Sequence, residues 1–332
     1  MEKNRKNTLT IALALTGAAV LCFACMFMPF LFLVAPAVTA YAMLIGRRPV
    51  PAFIAVLFFG LAGSAVFYGA SADVLLVSLP FLAAGCGTGL ALYLAQTKRL
   101  SGFNTVLAGA AVCGGSIYLA VTLPSLLAGG KAFDFVRESV KVLTDSVSAM
   151  PELAALGLKT DALVGLADYV VESFVSCCIG IGGIVSLVNT LLFRRLVKKD
   201  FASYGLAPVN PLSQWTVPQS FLSGVCALMV ASFVLLLSEN DNAEAVLLAV
   251  GTILYIPVMI QGVSLIDWFI LEKGTNVGKK RVIAVLAIVL LFRFVRPVLM
   301  FLGLFEQILH IRRRVRIIPR PGPGDRGNKG EP

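Results

Sequence analysis

Charged residues are scarce in this chain: Asp, Glu, Lys and Arg together make up only 14% of its 332 residues. Ordinary soluble domains carry about 25% charged residues. The shortage, together with 58% hydrophobic residues and a mean hydropathy of +0.88, excludes a typical soluble protein. The few charges lie between long apolar runs, so we predict an all-α, polytopic transmembrane helical bundle of about 8–10 membrane segments.

Residue patterns typical of catalytic and metal-binding sites are also missing from the sequence. His310 is the only histidine, and the chain has no Ser–His–Asp set and no Walker-type phosphate loop. The seven cysteines all lie within apolar runs, and the Cys22-x-x-Cys25 motif has no second pair to complete a metal site. We therefore expect no enzymatic activity, no cofactor, no metal and no disulfide framework.

The net charge of +10 does not indicate nucleic-acid binding, because most basic residues lie in short loops beside apolar runs. Basic residues in such positions mark the cytoplasmic side of a membrane protein. Lys3, Arg5 and Lys6 precede the first run, and the C-terminal segment is also basic. We predict a multi-pass protein with both termini in the cytoplasm and the lipid bilayer as its surroundings.

Residues 1–199 are predicted to form a membrane domain of six segments, organised around the long apolar run from Leu163 to Leu192. The run from Thr8 to Ile45 is too long for one helix, and Pro29 and Pro36 offer breaks. Three further spans follow before the loop 131–161. In that loop a stripe of apolar residues three and four positions apart predicts an amphipathic helix over about Phe133–Met150.

A cytoplasmic connector, residues 200–217, precedes a second membrane domain of three to four segments, residues 218–311. Its last part is ambiguous, because Arg293 and Arg296 interrupt the run from Val282 to Ile311. We favour a hairpin that turns at Arg293–Pro297 over a single span. Residues 312–332 are basic, then rich in Pro and Gly, and are predicted to be a disordered cytoplasmic tail.

Asp168 and Glu172 are candidate ligand-binding residues, because they lie one turn apart on the organising helix. Ionisable groups within a membrane segment are costly and are functional candidates by default. Two carboxylates on one face suit a cation or a proton relay. The alternative is that the long helix projects from the bilayer and that both acids lie among wet headgroups.

Gln261 is the third candidate for ligand binding, because it lies near the middle of its span, close to Pro257. A buried amide must be paired, either with a ligand or with another helix. Asp267 is expected to pair with Lys273 or to lie at the interface. Glu306 and His310, four residues apart, are interpreted as surface residues at the inner end.

Small residues within the spans predict close helix contacts. Gly85 and Gly89 in the fourth span, and Gly180 on the organising helix, are assigned to helix packing or partner docking. Ala14 and Ala18 form a small-xxx-small pair on the first helix and receive the same assignment.

Four features resemble the YybS-like family of uncharacterised bacterial membrane proteins. They are the glycine-rich fourth span, Trp215-x-x-Pro218, Gln261-Gly262, and Gly303-Leu304 followed by basic residues. The first six segments are also similar to the substrate-binding subunits of energy-coupling-factor (ECF) transporters. That resemblance implies a bacterial inner-membrane location, a small-molecule ligand near the outer face, and a coupling subunit and ATPases as partners. It also implies that Ala14 and Ala18 dock the coupling subunit.

Two classes of function follow. The first is a solute-binding transport subunit that depends on separate energising partners. The second is a non-enzymatic membrane scaffold for cell-envelope or developmental assembly.

Overall fold

The structure is a computed structural model that describes residues 2–47, 49–131, 133–148, 160–197, 210–238, 243–272 and 276–317. Some side chains within these helices, including those of Asp168 and Glu172, lie outside the described part. The described residues contain helices and no strand, which confirms the all-α prediction.

The described chain contains helices of seven to 38 residues. Numbered in chain order, they are α1 (Glu2–Ala24), α2 (Ala35–Gly46), α3 (Pro49–Tyr68), α4 (Ala72–Leu82), α5 (Thr88–Thr97), α6 (Gly102–Leu127), α7 (Asp134–Ser148), α8 (Thr160–Val197), α9 (Gln219–Leu237), α10 (Ala243–Glu272), α11 (Val277–Leu290), α12 (Phe292–Leu309) and α13 (Ile311–Ile317).

Six helical stretches of the described chain are long and apolar enough to cross a membrane. They are Pro49–Tyr68, Val74–Thr97, Gly102–Leu127, Ser173–Val197, Gln219–Leu237 and Ala243–Glu272. Shorter apolar helices cover Leu9–Ala24 and Ala35–Gly46. The polytopic helical bundle is therefore confirmed.

The chain forms two compact units. Unit 1 comprises Met1–Asn210 and Ser223–Leu254, and unit 2 comprises Pro211–Leu222 and Tyr255–Pro332. The division cuts through α9 and α10.

The break in the first apolar run lies where the two prolines predicted it. A short 3-10 helix, Pro29–Leu33, separates α1 from α2, and Pro36 lies in the first turn of α2. Proline is tolerated there because the first N–H groups of a helix have no intrahelical acceptor. A π-helical turn, Ala83–Gly87, joins α4 to α5 in one span.

The backbones of α6 and α8 approach each other closely within unit 1. A Cβ added at Gly182 would lie 2.6 Å from the carbonyl oxygen of Ala110, and one added at Gly114 would lie 2.8 Å from that of Cys178. The Ser186 hydroxyl donates to the Val106 carbonyl at 2.7 Å. These contacts need small residues, because any larger side chain would force the two helices apart.

The last predicted segment is interrupted at a different point from the one expected. α11 ends at Leu290 and α12 begins at Phe292, so the break falls at Leu291. The expected turn at Arg293–Pro297 is wrong, because these residues are helical. Pro297 lies inside α12, where it removes the hydrogen bond that an N–H at this position would donate to the carbonyl of Arg293.

Candidate functional site

The long apolar run Leu163–Leu192, around which the first membrane domain was predicted to be organised, lies in helix α8. Its backbone is helical through residues 168 and 172, which places the two acids one turn apart, while their side chains lie outside the described residues. The next turns carry buried serines: Ser173 donates to the Tyr169 carbonyl at 2.7 Å. The Ser176 hydroxyl is buried and has no hydrogen-bond partner among the described residues.

α7 is held against this part of α8 by aromatic rings. Phe133, just before α7, packs on Tyr118 of α6 at 6.2 Å and on Phe174 of α8 at 5.9 Å between ring centroids. Asp134 begins α7, and its carboxylate accepts the backbone N–H of Lys131 at 2.6 Å. The predicted amphipathic helix is therefore present over Asp134–Ser148 and packs on the first-half bundle. Residues 149–150 of the prediction lie outside the described residues.

An apolar recess opens between α4 and the end of α6 that precedes α7. Its volume is about 270 Å³, and its lining residues are Leu76, Val77, Leu123, Pro124, Leu127 and Ala128. Gly129 has φ +76° and turns the chain directly after the recess. Two residues later the chain reaches Lys131, whose N–H is held by Asp134. The recess therefore lies next to the start of α7.

The alanine pair of α1 lies in the unit 1 core. Ala18 is fully buried, and Ala14 packs against the same cluster, which also contains Cys22 and Cys25. All cysteines of the chain are free. No group of histidine, cysteine or acidic side chains that could hold a metal occurs among the described residues.

The glycines assigned to packing differ in their surroundings. A Cβ at Gly85 would lie 3.0 Å from the Cys22 sulfur, and one at Gly89 would lie 2.8 Å from the Pro36 carbonyl oxygen. Gly180 has nothing within 4 Å of such a Cβ. The first two permit close helix approach, whereas the space beside Gly180 is open.

Asn189 closes the break between α1 and α2. Its amide donates to the Phe32 carbonyl at 2.7 Å, and its oxygen accepts the Ala37 N–H at 2.8 Å. In a continuous α-helix the carbonyl oxygen of Phe32 would accept a hydrogen bond from the N–H of residue 36. Residue 36 is proline, which has no N–H to donate. The side chain of Asn189, on α8, therefore donates the hydrogen bond that the proline cannot.

Gln261 lies in unit 2, where its side-chain amide forms hydrogen bonds with other residues of the protein. It is 3% exposed; its oxygen accepts the Val217 N–H at 3.0 Å and its nitrogen donates to Gln307 at 3.0 Å. Gln307 in turn donates to the Val217 carbonyl at 3.4 Å. The three residues form a closed polar triangle between α10, α12 and the segment before α9.

Arg312 holds the 3-10 turn Leu212–Gln214 and the residue after it. Its guanidinium donates to the Ser213 carbonyl at 2.6 Å, to the Trp215 carbonyl at 3.2 Å and to the Ser264 hydroxyl at 3.1 Å. It also forms an ion pair with Glu306 at 3.0 Å. The interpretation of Glu306 as a surface residue is wrong: the residue is 4% exposed, because its carboxylate compensates the buried arginine.

Asp267 pairs with Arg281, a partner that the sequence analysis did not name, while the expected partner Lys273 lies outside the described residues. The Arg281 guanidinium donates to both of its carboxylate oxygens, at 2.6 and 3.0 Å. Two parallel bonds of this kind are the strong form of the arginine–carboxylate contact. The pair joins the first turns of α11 to the last turns of α10.

α10 and the segment α12–α13 run in the same general direction. Contacts between them advance together along the chain: Tyr255 with Arg296, Gln261 with Gln307, and Ser264 with Arg312. They pack closely, since an added Cβ at Gly262 or Gly303 would overlap the carbonyl of Leu299 or Val258, respectively. α11, which connects them in the chain, must therefore run in the opposite direction, as the arm of a hairpin would.

Sequence reasoning singled out Gln261 but neither its partner Gln307 nor the buried Arg312. Gln307 is a polar residue in the last turn of the apolar helix α12 and Arg312 follows that helix, but the spacing alone does not show which neighbours they face.

Comparison with known proteins identifies one family model, described as "Predicted membrane protein (DUF2232)", which matches residues 14–306. No curated protein and no solved structure matches the chain.

Proposed function

The chain belongs to the DUF2232 family of predicted membrane proteins, and we propose that it is a solute-binding transport subunit. In this proposal it is not an enzyme and works with separate energising partners, a coupling subunit and ATPases, in a bacterial cytoplasmic membrane. The observation that carries the proposal is the apolar recess of about 270 Å³ beside the start of α7. Ligand sites in proteins are mainly apolar concavities of roughly this size or larger, with a few polar groups.

The register of α6 against α8 supports a polar wall for this recess. Val106 contacts Ser186, and twelve residues further along α6 Tyr118 contacts Phe174. Continuing this antiparallel register brings residue 168 level with Pro124, which lines the recess. The turn that carries the two candidate acids then lies at the depth of the recess.

These features favour a ligand with an apolar body and a cationic or N–H donor group. The apolar body would fill the recess between α4 and α6, and Asp168 or Glu172 would accept the donor. A charge-assisted hydrogen bond of this kind contributes about 1.5–3 kcal/mol. α7, which is tied to the bundle by Phe133, would cover the ligand.

The distribution of basic residues supports an orientation with α7 outside the cell and both termini inside. A ligand would then reach the recess from outside. The chain has no phosphate-binding loop of the Walker type, so energy for release would come from a partner.

The test is to identify small molecules that co-purify with the protein by mass spectrometry. We expect a retained compound in the wild type and its loss in Leu123→Trp, which fills the recess. Leu119→Trp is the matched control, because Leu119 lies one turn earlier on α6 and is 51% exposed. With the compound in hand, Asp168→Asn or Glu172→Gln should weaken binding about 10- to 150-fold, since 1.4 kcal/mol corresponds to tenfold.

Equal retention by both tryptophan variants would contradict the recess as the binding site. Binding within twofold of the wild type in both acid variants would remove the carboxylates from it.

A scaffold function is the second candidate, and one observation favours it. The amides of Asn189 and Gln261 are engaged within the protein, as expected of residues that only hold helices together. Co-purification of envelope proteins without any small molecule would support the scaffold over the transport subunit.

A further inference from the structure

Two basic segments, far apart in sequence, are brought to the same end of unit 2. Arg281 at the start of α11 is anchored to Asp267, and Arg312 in α13 is anchored to Ser264. Asp267 and Ser264 lie three residues apart on α10, which is less than one helical turn. Arg281 of α11 and Arg312 of α13 are therefore held beside the same part of α10, near its end.

The residues next to these anchors are exposed cations. Lys279 precedes Arg281 by two residues, and Arg313 and Arg314 directly follow Arg312; all three are exposed. No ion pair within the described residues involves these three side chains. Asp267, the acid at the same place, is already neutralised by Arg281. Glu306 is likewise paired with Arg312, and the remaining acid here among the described residues is Glu272 at the end of α10. Basic residues therefore outnumber acidic ones at this surface.

Apolar side chains adjoin this basic surface on the same helices. Val282 and Ile283 of α11 are 59% and 65% exposed, and Phe305 and Ile308 of α12 are 50% and 71% exposed. In the last turns of α12, Glu306 and Gln307 face inward, whereas Phe305 and Ile308 face outward. Such an arrangement is stable only where the surroundings are hydrocarbon.

We propose that Lys279, Arg313 and Arg314 form a binding surface for an anionic phospholipid, with its acyl chains along the exposed apolar faces of α11 and α12. The basic groups match the charge of the phosphate, and each Lys or Arg near an anionic membrane surface contributes about 1 kcal/mol, or roughly a fivefold factor in binding. An acidic protein or a free phosphate would use the cations but leave the apolar faces uncovered. The combination of the two surfaces is what selects a lipid. The proposal is independent of the transport function.

The test uses the purified full chain in detergent and native mass spectrometry with dioleoyl-phosphatidylglycerol, dioleoyl-phosphatidylcholine or inorganic phosphate. We expect wild type to retain phosphatidylglycerol in preference to phosphatidylcholine and to retain no phosphate. The variant K279Q/R313Q/R314Q should bind phosphatidylglycerol at least tenfold more weakly. The charge-retaining variant K279R/R313K/R314K should bind within about threefold of wild type, because it keeps all three charges.

The matched control is K131Q/R137Q/K141Q, which removes three exposed basic residues at and near α7. We expect it to retain phosphatidylglycerol as wild type does. Equal losses in both glutamine variants would overturn the site, because the effect would then follow net charge alone. Undiminished retention in K279Q/R313Q/R314Q, or retention of inorganic phosphate as strong as that of phosphatidylglycerol, would overturn it as well. If K279Q/R313Q/R314Q does not fold, R313Q/R314Q replaces it, with an expected loss of about tenfold or more and the same criteria.

Discussion

Replacing Gln261 with methionine should destabilise the protein. Methionine has a similar length and flexibility, so the space inside unit 2 stays filled while the amide is lost. Val217 then loses its acceptor at 3.0 Å, and the side-chain oxygen of Gln307 loses its donor at 3.0 Å. A buried polar group left without a partner costs about 1–3 kcal/mol.

The two losses are not equal. Val217 is 4% exposed, so its N–H cannot form a replacement hydrogen bond with water. Gln307 is half-buried, so its side chain can rotate and bond to water instead. We therefore expect a total cost of about 2–4 kcal/mol, most of it at Val217. At about 2–4 °C per kcal/mol for a large domain, the melting temperature should fall by roughly 5–15 °C.

The assay is thermal unfolding of the purified protein in detergent, with Gln219→Met as the control. Gln219 is an exposed glutamine at the start of α9 and belongs to the same unit. Its replacement should change stability by less than about 0.5 kcal/mol. A melting temperature for Gln261→Met within about 2 °C of that of the control would refute the structural role of the amide.

Two other predictions concern unit 1 and the topology. Asn189→Leu should destabilise the protein by about 2–4 kcal/mol, because the Phe32 carbonyl loses a donor that Pro36 cannot supply; Thr190→Val, which removes only a hydroxyl bond within α8, should cost less than about 1 kcal/mol in the same unfolding assay. In a cysteine-free background, an impermeant thiol reagent should label Asp145→Cys in intact cells and Arg314→Cys only after lysis; the reverse pattern would contradict the proposed orientation.

Hydropathy and helix breakers were enough to locate most of the helices. The limits Pro49–Tyr68 and Gln219–Leu237 agree with the apolar runs, because a helix in a membrane satisfies its own backbone hydrogen bonds and so follows local sequence. The break at Pro29 was predicted for the same local reason. The exact turn before α12 was not, since the two arginines drew the prediction to Arg293–Pro297 and the chain breaks at Leu291.

The sequence by itself determined that this is an all-helical membrane protein, where its spans lie, and that α7 is amphipathic. Only the tertiary structure decided the partners of the polar residues. Glu306 is buried because it pairs with Arg312, and the amide of Gln261 forms hydrogen bonds with Gln307 and Val217. The physical reason is that a helical period assigns each side chain to a face, whereas the crossing of α10 and α12 at Gly262 and Gly303 decides what that face meets.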